Sequence, residues 1–473
     1  MNSPENSLSE RTDHTDTAAH DVVALLAAEL GDAVSTDAAA LAAARADKSG
    51  HVADGTPLAV VTARTIADVQ ATMRIAHRTG TPVVTRGAGT GLAGGAIADR
   101  GEIVLSTLAM NAILEISTDD EIAVVEPGII NADLNAVLAT KGLWFAPDPA
   151  SKAISTVGGN IATNAGGLLC AKYGVTREAV SGLTVVLADG SLLELGHRTV
   201  KGVTGLDFTA LFIGSEGTLG VIVGATLRLR RLPTGPVATI GAYFASVEAA
   251  ARAASVISSS GLRPAIMELV DHQAMDGINR YLGLEGRDGE SYLLVQFDGS
   301  GAAVDSDAAL AVIRSLGGEA ELTEDREEAE RLFRIRRSFH PAMETRGTVL
   351  IEDVCVPRSA LPAMFQAISD IEVRFGVSIP TVAHAGDGNL HPNFVFEADP
   401  LAPGGVPENI WAAADELFLA ALRLGGTLTG EHGVGLLKRR WLGHELGAPQ
   451  LELQRQVKAV FDPQGLLNPG KVF

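Results

Sequence analysis

The chain has 473 residues, of which 46% are hydrophobic, and a formal net charge of −20 at pH 7. Its length exceeds that of one ordinary domain, so two or three domains are expected. Because nucleic-acid affinity depends on lysine and arginine, the acidic balance argues against a nucleic-acid partner, and it also disfavours an anionic membrane surface.

The start of the chain and its cysteines bear on location. Residues 1–20 are polar and lack the apolar core of a secretory signal, so a disordered tail is predicted there. No apolar run approaches the roughly 20 residues of a membrane span. Cys170 and Cys355 are the two cysteines, and we predict buried free thiols, which fit a reducing compartment. A cytoplasmic protein is expected, with peripheral membrane association left open.

The first predicted elements form a βαβ unit. A helix over residues 21–31 precedes a strand in PLAVVTA, an amphipathic helix in TIADVQATMRIAHRTG and a strand in TPVVTR. Thr65 is the predicted N-cap of the amphipathic helix and Gly80 its C-cap.

Strands dominate the following region. They are predicted in GEIVLST, AILEIST and EIAVVEPG, then in a hairpin that turns at Asp189-Gly190 and in a strand that ends at Pro233. One helix is predicted in INADLNAVLATKG. Beyond a boundary near residue 235, strands such as SYLLVQFDG alternate with helices such as SVEAAARAASVISSSG, which is an α+β pattern.

Three glycine-rich stretches lie in the first half. PVVTRGAGTGLAGGA contains G-x-G-x-x-G at Gly89, Gly91 and Gly94, but the next strand follows too soon for the crossover helix of a Rossmann fold. Such a loop can instead form an anion-binding nest of backbone N–H groups, and a plain turn is the alternative. Further glycines lie in two later stretches, PDPASKAISTVGGNIATNAGG and IGSEGTLGVI. Three such loops indicate that backbone lines a large polar ligand.

These stretches resemble the FAD-binding domain of the FAD-linked oxidase and dehydrogenase superfamily, the vanillyl-alcohol oxidase or PCMH-type fold. The resemblance implies an α+β protein. A PCMH-type FAD-binding domain of two α+β subdomains, residues 21–235, would precede an antiparallel-sheet α+β substrate or cap domain, residues 236–473. About 425–473 would pack back toward the first domain.

The same resemblance implies the residues that contact FAD. At the pyrophosphate these would be Arg86, Gly87, Ala88, Gly89, Thr90, Gly91 and Gly94. The rest of the flavin would be lined by Pro147, Asp148, Gly158, Gly159, Asn160, Thr163, Gly166, Glu216, Gly217 and Val221. Since no histidine lies in residues 82–96 or 147–167, where some relatives attach the flavin, noncovalent FAD is expected.

A hairpin in VAHAGDGNLHPNF suggests a metal site. A tight turn at residues 386–389 would place His384 directly opposite His391, with Asn393 on the same face. Cross-strand Cβ atoms lie about 4.5–5.5 Å apart, a workable span for two ligands of one metal. In GTLTGEHGVG, Glu431 beside His432 offers a carboxylate, and this donor set suits a Zn- or Mn-like divalent ion. A hydrogen-bonded histidine pair and an exposed loop are the alternatives.

Both segments resemble the glycolate/D-lactate/D-2-hydroxyglutarate dehydrogenase branch of the superfamily. That resemblance implies that His384, His391 and Glu431 hold the metal, that His432 is the general base and that Asn393 contacts substrate. The last residues, FDPQGLLNPGKVF, are typical of the family.

Three arginines lie close together in RLFRIRRSFHPAM: Arg334, Arg336 and Arg337. Because arginine pairs with carboxylates in a bidentate manner, this stretch could bind a carboxylate substrate. By position in the family, Arg336 is expected to bind substrate, while at least one neighbour lies on a solvated helix face. The hydroxyglutarate enzymes have a lysine near the position of Ile351, and its absence disfavours a dicarboxylate.

We therefore hypothesise an FAD-dependent, metal-assisted oxidation of a D-2-hydroxy acid similar to D-lactate or glycolate. Hydride would pass to flavin N5 and a proton to His432, whose pKa is expected near neutral. D-2-hydroxyglutarate dehydrogenase, oxygen-using oxidase, flavin-free metal hydrolase and noncatalytic flavoprotein subunit are the alternatives. The electron acceptor is open among quinone, cytochrome and electron-transfer flavoprotein, and the sequence is compatible with a homodimer.

Overall fold

The computed structural model describes residues 21–285 and 287–473. The disordered tail expected over 1–20 lies outside the described residues. In the described part, the strands form sheets of four, five, two and eight members. None of the described helices is both long and apolar enough to span a bilayer.

A parallel βαβ unit opens the first domain, as the sequence predicts. Its four-stranded sheet has the order Val34–Ser35, Ala59–Thr62, Ile103–Ser106 and Val83–Arg86. The connecting helix, Ile66–Thr79, begins at a capping box formed by Thr65 and Asp68 and ends at Gly80, which is left-handed. No helix forms over residues 87–102, so the glycine motif does not open a Rossmann crossover.

A five-stranded antiparallel sheet completes this domain, in the order Ile113–Ser117, Ile122–Val125, Val221–Arg228, Val180–Val186 and Leu192–Gly196. The strand predicted to end at Pro233 is divided in two, since Arg230–Arg231 pairs with Leu143–Trp144 in a separate ladder. The helices cover residues 21–30, Ala38–Ala44, Asn131–Ala139, Val157–Thr163, Cys170–Tyr173 and Phe208–Phe212, with 3-10 turns at Gly31–Ala33 and Thr176–Ala179.

One of these helices lies in a stretch that the sequence suggests is a loop. Val157–Thr163 is helical although it contains two glycines, because the Thr156 hydroxyl accepts a hydrogen bond from the Gly159 N–H and caps the first turn. A Cβ at Gly158 would lie 2.5 Å from the Pro127 Cβ, so close packing requires glycine there. Capping and packing outweigh the low helix propensity of glycine.

The second domain is built on an eight-stranded antiparallel sheet. Seven strands follow the order Glu319–Thr323, Val237–Phe244, Ser291–Asp298, Ile266–Val270, Thr381–His384, Asn389–Phe396 and Thr348–Ile351, and Val354–Cys355 also pairs with Asn389–Phe396. Its helices are Val247–Ser259, His272–Leu282, Ala302–Ser315, Arg326–Arg337, Phe339–Glu344, Leu361–Phe375, Glu408–Arg423 and Leu442–Phe461, with 3-10 turns at Arg358–Ala360, Pro403–Gly405 and Arg439–Trp441. Buried apolar clusters cover both faces of the sheet.

The C-terminal segment contacts the first domain. The Val83 N–H donates to Leu466 O at 2.8 Å, and the Asn468 N–H donates to Val83 O at 2.9 Å. The Asn468 side chain accepts from the Thr85 N–H and donates to Glu216 O. These bonds extend the edge of the four-stranded sheet and bring the chain end beside the glycine-rich loop.

Candidate active site

The predicted hairpin is present, but its register was predicted wrongly. His384 pairs with Asn389, and Val382 pairs with His391, so the two histidines are diagonal neighbours rather than directly opposite. A shift of two residues keeps a side chain on the same face, because side chains alternate along a strand. The two imidazole centroids therefore still lie only 5.0 Å apart.

The register differs because the turn lies one residue earlier than predicted, over residues 385–388. The carbonyl of His384 accepts hydrogen bonds from the N–H groups of Asp387, at 3.2 Å, and Gly388, at 3.0 Å. Gly388 has a φ of 93°, and a Cβ there would lie 2.1 Å from Val356 O. The turn therefore packs against the neighbouring segment in a way that sequence spacing does not reveal.

The three predicted metal ligands converge. Glu431 Oε1 lies 3.4 Å from His384 Nε2 and 3.0 Å from His391 Nε2. The other ring nitrogens face buried carboxylates: Glu268 Oε1 lies 2.6 Å from His384 Nδ1, and Asp353 Oδ1 lies 3.9 Å from His391 Nδ1. The hydrogen bond to Glu268 orients His384 and leaves its Nε2 free for a metal. The 3.9 Å distance is too long for a hydrogen bond, and His391 Nδ1 has no partner among the described residues.

The charges of this cluster also suit a cation. Two of the three carboxylates have a cationic partner: Arg336 Nε donates to Glu268 Oε2 at 2.7 Å, and Lys438 Nζ lies 3.5 Å from Asp353 Oδ2. Glu431 is the third. Glu431 forms no ion pair with lysine or arginine within the described residues. Burial alone would raise the pKa of Glu431, but the adjacent imidazoles hold it well below its usual value. Two imidazoles and an ionised carboxylate fit a Zn- or Mn-like ion.

His432 lies against this cluster. Its ring stacks on that of His391, with centroids 5.0 Å apart and an interplanar angle of 13°. Burial lowers the pKa of His432 to about 4, against an opposing effect of Asp353. The expectation of a near-neutral value is therefore not met, because burial disfavours the imidazolium. A neutral ring can accept a proton.

A second group of potential metal ligands includes His432 and consists of Asp353, His391 and His432. The geometry therefore also allows His432 to be a ligand.

Arg336 and Asn393 present unsatisfied polar atoms. Arg336 is anchored through Nε, and its Nη atoms donate to no acceptor in the described part of the chain. Its neighbour Arg337 pairs with Glu330, and Arg334 is exposed. Asn393 donates from Nδ2 to a backbone carbonyl, while its buried Oδ1 has no partner among the described residues. Both side chains could therefore contact a polar ligand.

The first glycine-rich loop forms an open cradle. None of the backbone N–H groups of residues 87–94 donates to an acceptor in the parts of the chain that are described. A Cβ at Gly91 would meet nothing nearer than Asp47 Oδ2, at 3.9 Å. A run of free N–H donors beside open space is suited to a pyrophosphate, so this loop fits FAD.

The ends of this loop are braced by a predicted FAD residue. Arg86 donates to Ala96 O at 2.9 Å and to Ala43 O at 3.3 Å. A Cβ at Gly89 would lie 2.2 Å from Arg86 Nη2, so the guanidinium passes directly beneath the loop. Arg86 thus maintains the shape of the loop that contains Ala88 and Thr90.

Most other predicted FAD contacts use their side chains within the protein. Val221 lies in a hydrophobic core. Burial raises the pKa of Asp148 to about 6. Internal hydrogen bonds join Asn160 to Asn131 and Ser155, Asn131 to Pro147 O, Thr163 to Gly159 O, and Asp148 to the Leu169 N–H.

Two predicted FAD residues instead contact the metal-ligand region. A Cβ at Gly166 would lie 2.6 Å from Glu431 Oε2. The Glu216 carboxylate accepts from the N–H groups of Val434, at 2.7 Å, and Gly435, at 2.8 Å. Gly217, with a φ of 73°, follows it. The flavin-side loops and the metal-ligand loop are thus in direct contact.

Sequence reasoning missed Glu268, Asp353 and Lys438. Each is buried. Glu268 accepts from Arg336, Asp353 accepts from the His432 N–H, and Lys438 donates to the backbone carbonyl of Asp353. Glu268 interrupts the apolar strand IMELV, and Asp353 is one of two adjacent acids in the segment LIEDVCV, whose other residues are apolar. Acids within apolar segments are a signal that could have identified both residues, since buried charges require partners.

Comparison with known proteins defines the class as FAD-linked oxidoreductases. The profile "FAD binding domain" matches residues 57–196, and the profile "FAD linked oxidases, C-terminal domain" matches residues 236–472. This chain belongs to the FAD-linked oxidase family. The superfamily and the flavin dependence predicted from the sequence are confirmed.

Curated relatives extend over most of the chain. "Glycolate oxidase subunit GlcD" of Bacillus subtilis is 39% identical over 88% of this chain and 89% of its own. The Escherichia coli K12 protein of the same name is 35% identical over 88% and 83%. "D-lactate dehydrogenase" of Archaeoglobus fulgidus is 34% identical over 86% and 89%.

Solved structures share the fold at low identity. p-Cresol methylhydroxylase with bound substrate matches with a TM-score of 0.78 at 18% identity, covering 96% of this chain and 97% of that chain. 4-Ethylphenol oxidase from Gulosibacter chungangensis matches with a TM-score of 0.76, at the same identity and coverage. The predicted fold class, a PCMH-type FAD-binding domain followed by an antiparallel-sheet domain, is confirmed.

Proposed function

We propose that this protein oxidises a D-2-hydroxy acid, such as D-lactate or glycolate, to the 2-oxo acid with noncovalent FAD and a divalent metal. The observation that carries the proposal is the convergence of His384 Nε2 and His391 Nε2 on Glu431, with Glu268 hydrogen-bonded to the outer nitrogen of His384. The names of the relatives, glycolate oxidase subunit and D-lactate dehydrogenase, support the substrate class.

Each residue has a distinct role in this proposal. His384, His391 and Glu431 would hold a divalent ion, which would supply Lewis-acid chemistry, and the glycine-rich loops would hold FAD, which would supply the hydride acceptor. The free Nη donors of Arg336 bind the substrate carboxylate, and Asn393 orients the substrate through Oδ1 or Nδ2. A ring nitrogen of the neutral His432 accepts the hydroxyl proton.

Substrate size and electron acceptor complete the proposal. Ile351 is apolar and lies opposite Asn393 in the sheet, so a second carboxylate finds no lysine at that position. This favours a small monocarboxylate over D-2-hydroxyglutarate. We further propose a cytoplasmic protein that passes electrons to a quinone, a cytochrome or an electron-transfer flavoprotein.

The test is the visible spectrum of the purified protein, without oxygen, before and after addition of D-lactate or glycolate. Bleaching of the flavin bands is the expected result. Bands that persist with both acids but bleach with D-2-hydroxyglutarate would refute the substrate assignment. A preparation that stays colourless after FAD is supplied would refute the flavin role, and rapid peroxide formation would identify an oxidase.

A further inference from the structure

The loop Thr429–Gly435 contains both Glu431 and His432, and two buried carboxylates hold it. The first is Asp353, which is fully buried. Its Oδ2 accepts four hydrogen bonds, from Thr429 Oγ1 at 2.5 Å and from the N–H groups of Gly430 at 2.9 Å, Glu431 at 3.2 Å and His432 at 3.0 Å. Consecutive N–H groups that point at one anion fix the local backbone conformation.

The second carboxylate belongs to the other domain. Glu216 is buried in the first domain and accepts from the Val434 and Gly435 N–H groups, one at each oxygen. Between the two anchors, the Gly433 N–H donates to Thr429 Oγ1 at 3.0 Å. The N–H groups of residues 430–435 are thereby all satisfied, five of them by a carboxylate.

The loop also contacts the glycine-rich cradle. The Leu436 N–H donates to Ala93 O at 2.8 Å, and a Cβ at Gly435 would lie 2.0 Å from the same oxygen. Glu216 therefore holds the loop at the point where it meets the proposed pyrophosphate site. Asp353 thus holds residues 429–432, which include Glu431 and His432, and Glu216 holds Val434 and Gly435, which follow them.

We propose that Asp353 and Glu216 are positioning residues, one from each domain, that fix Glu431 and His432 relative to the flavin side of the site. This inference rests on the proposed function for the roles of Glu431 and His432. Hydrogen bonds to an ionised acceptor are about twice as strong as neutral ones, so a neutral amide in place of Asp353 would hold the loop more weakly. In Glu216→Gln an NH₂ group would face one of the two N–H donors, because each oxygen of Glu216 accepts one bond. In Asp353→Asn the amide oxygen can take the place of Oδ2, so this variant removes the charge and keeps an acceptor.

The test uses Asp353→Asn and Glu216→Gln in the FAD-loaded protein. Amide hydrogen exchange of peptides that span residues 429–435 is expected to rise in both variants. Zn²⁺ affinity, measured by competition with a chelator, is expected to fall about 10–100-fold in Asp353→Asn, as when other partners of ligand residues are removed. kcat is expected to fall more than KM rises.

Glu352→Gln is the matched control. Glu352 is buried like its neighbour Asp353, but the loop N–H groups donate to Asp353, Thr429 and Glu216 and none donates to Glu352. This variant is expected to keep wild-type exchange and Zn²⁺ affinity. If Asp353→Asn fails to fold, Thr429→Val removes one donor to Asp353 and the acceptor of the Gly433 N–H, and a smaller rise in exchange is expected.

The outcomes separate this inference from the proposed function. Unchanged exchange in both folded carboxylate variants would overturn the positioning role. For Glu216, lower FAD affinity with unchanged exchange would show a direct flavin contact instead. A wild-type protein that binds no Zn²⁺ would refute the metal part of the proposed function, while the exchange measurement would still decide whether the two carboxylates hold the loop.

Discussion

Glu268 Oε1 lies 2.6 Å from His384 Nδ1, and the second oxygen of the same carboxylate accepts from Arg336 Nε at 2.7 Å. One buried acid in the middle of an apolar strand thus joins a proposed metal ligand to the proposed substrate arginine. Burial alone would raise the pKa of Glu268, but these two partners lower it, so the carboxylate stays ionised.

Glu268→Gln should weaken metal binding and substrate binding at once. A neutral amide no longer orients His384 as a carboxylate does, so metal affinity should fall about 10–100-fold. KM should rise as well, because Arg336 loses its anchor. Metal titration and steady-state kinetics measure the two effects. Glu319→Gln, which removes an exposed acid at the sheet edge, is the control, and equal losses in both variants would contradict the prediction.

Replacing a proposed ligand should remove the metal and keep the flavin. His384→Ala and Glu431→Gln should each lose bound Zn²⁺ or Mn²⁺ during purification, since each removes one of only three protein ligands. Metal content by mass spectrometry and FAD content by absorbance are the measurements. His340→Ala, at a half-exposed position, is the control. Full metal content in both ligand variants would rule out this site.

His432→Ala separates a base from a ligand. A base role predicts that kcat falls about 10²–10⁴-fold while the metal is retained. Loss of metal together with activity would favour the second ligand group, Asp353, His391 and His432, instead. Turnover at the wild-type rate would exclude both roles.

Gly91→Val tests the flavin cradle. The new side chain would enter space that no described atom occupies, so the apoprotein should stay folded. FAD should bind at least about tenfold more weakly, a difference of about 1.4 kcal/mol, because the side chain takes the place of the ligand. Gly443→Ala, at another open position, should bind FAD normally.

In the wild type, acid precipitation should release all flavin, and yellow colour in the pellet would indicate a covalent bond.

Glu352 should make stability depend on pH. Burial raises the pKa of its carboxyl from 4.5 to about 7 in the folded protein. Between these values the unfolded chain releases the proton while the folded chain keeps it, so stability falls as pH rises and levels off above the folded pKa. Above the folded pKa, Glu352→Gln should therefore raise the free energy of unfolding by about 1–3 kcal/mol relative to the wild type.

Thermal unfolding of both proteins at about pH 5 and about pH 8 measures this effect. The variant should gain thermal stability relative to the wild type at the higher pH only. An equal difference at both values would show that the carboxyl titrates normally or that the substitution acts through packing.

By itself, the sequence determined most of the local elements and identified residues that the structure brings together at the site. The capped helix Ile66–Thr79 and the strands around it follow from periodicity and capping residues, which act over a few positions. The family, the flavin and the convergence of His384, His391 and Glu431 follow from motifs whose residues have specific chemistry.

Only the tertiary structure decided the hairpin register, the helix Val157–Thr163 and the partners of the site. Each depends on contacts between distant segments: Gly388 against Val356, Gly158 against Pro127, and Glu268 with Arg336. Such contacts leave no periodic signal, because their residues lie far apart in the chain. The low pKa of His432 has the same origin, since burial is a property of the folded chain.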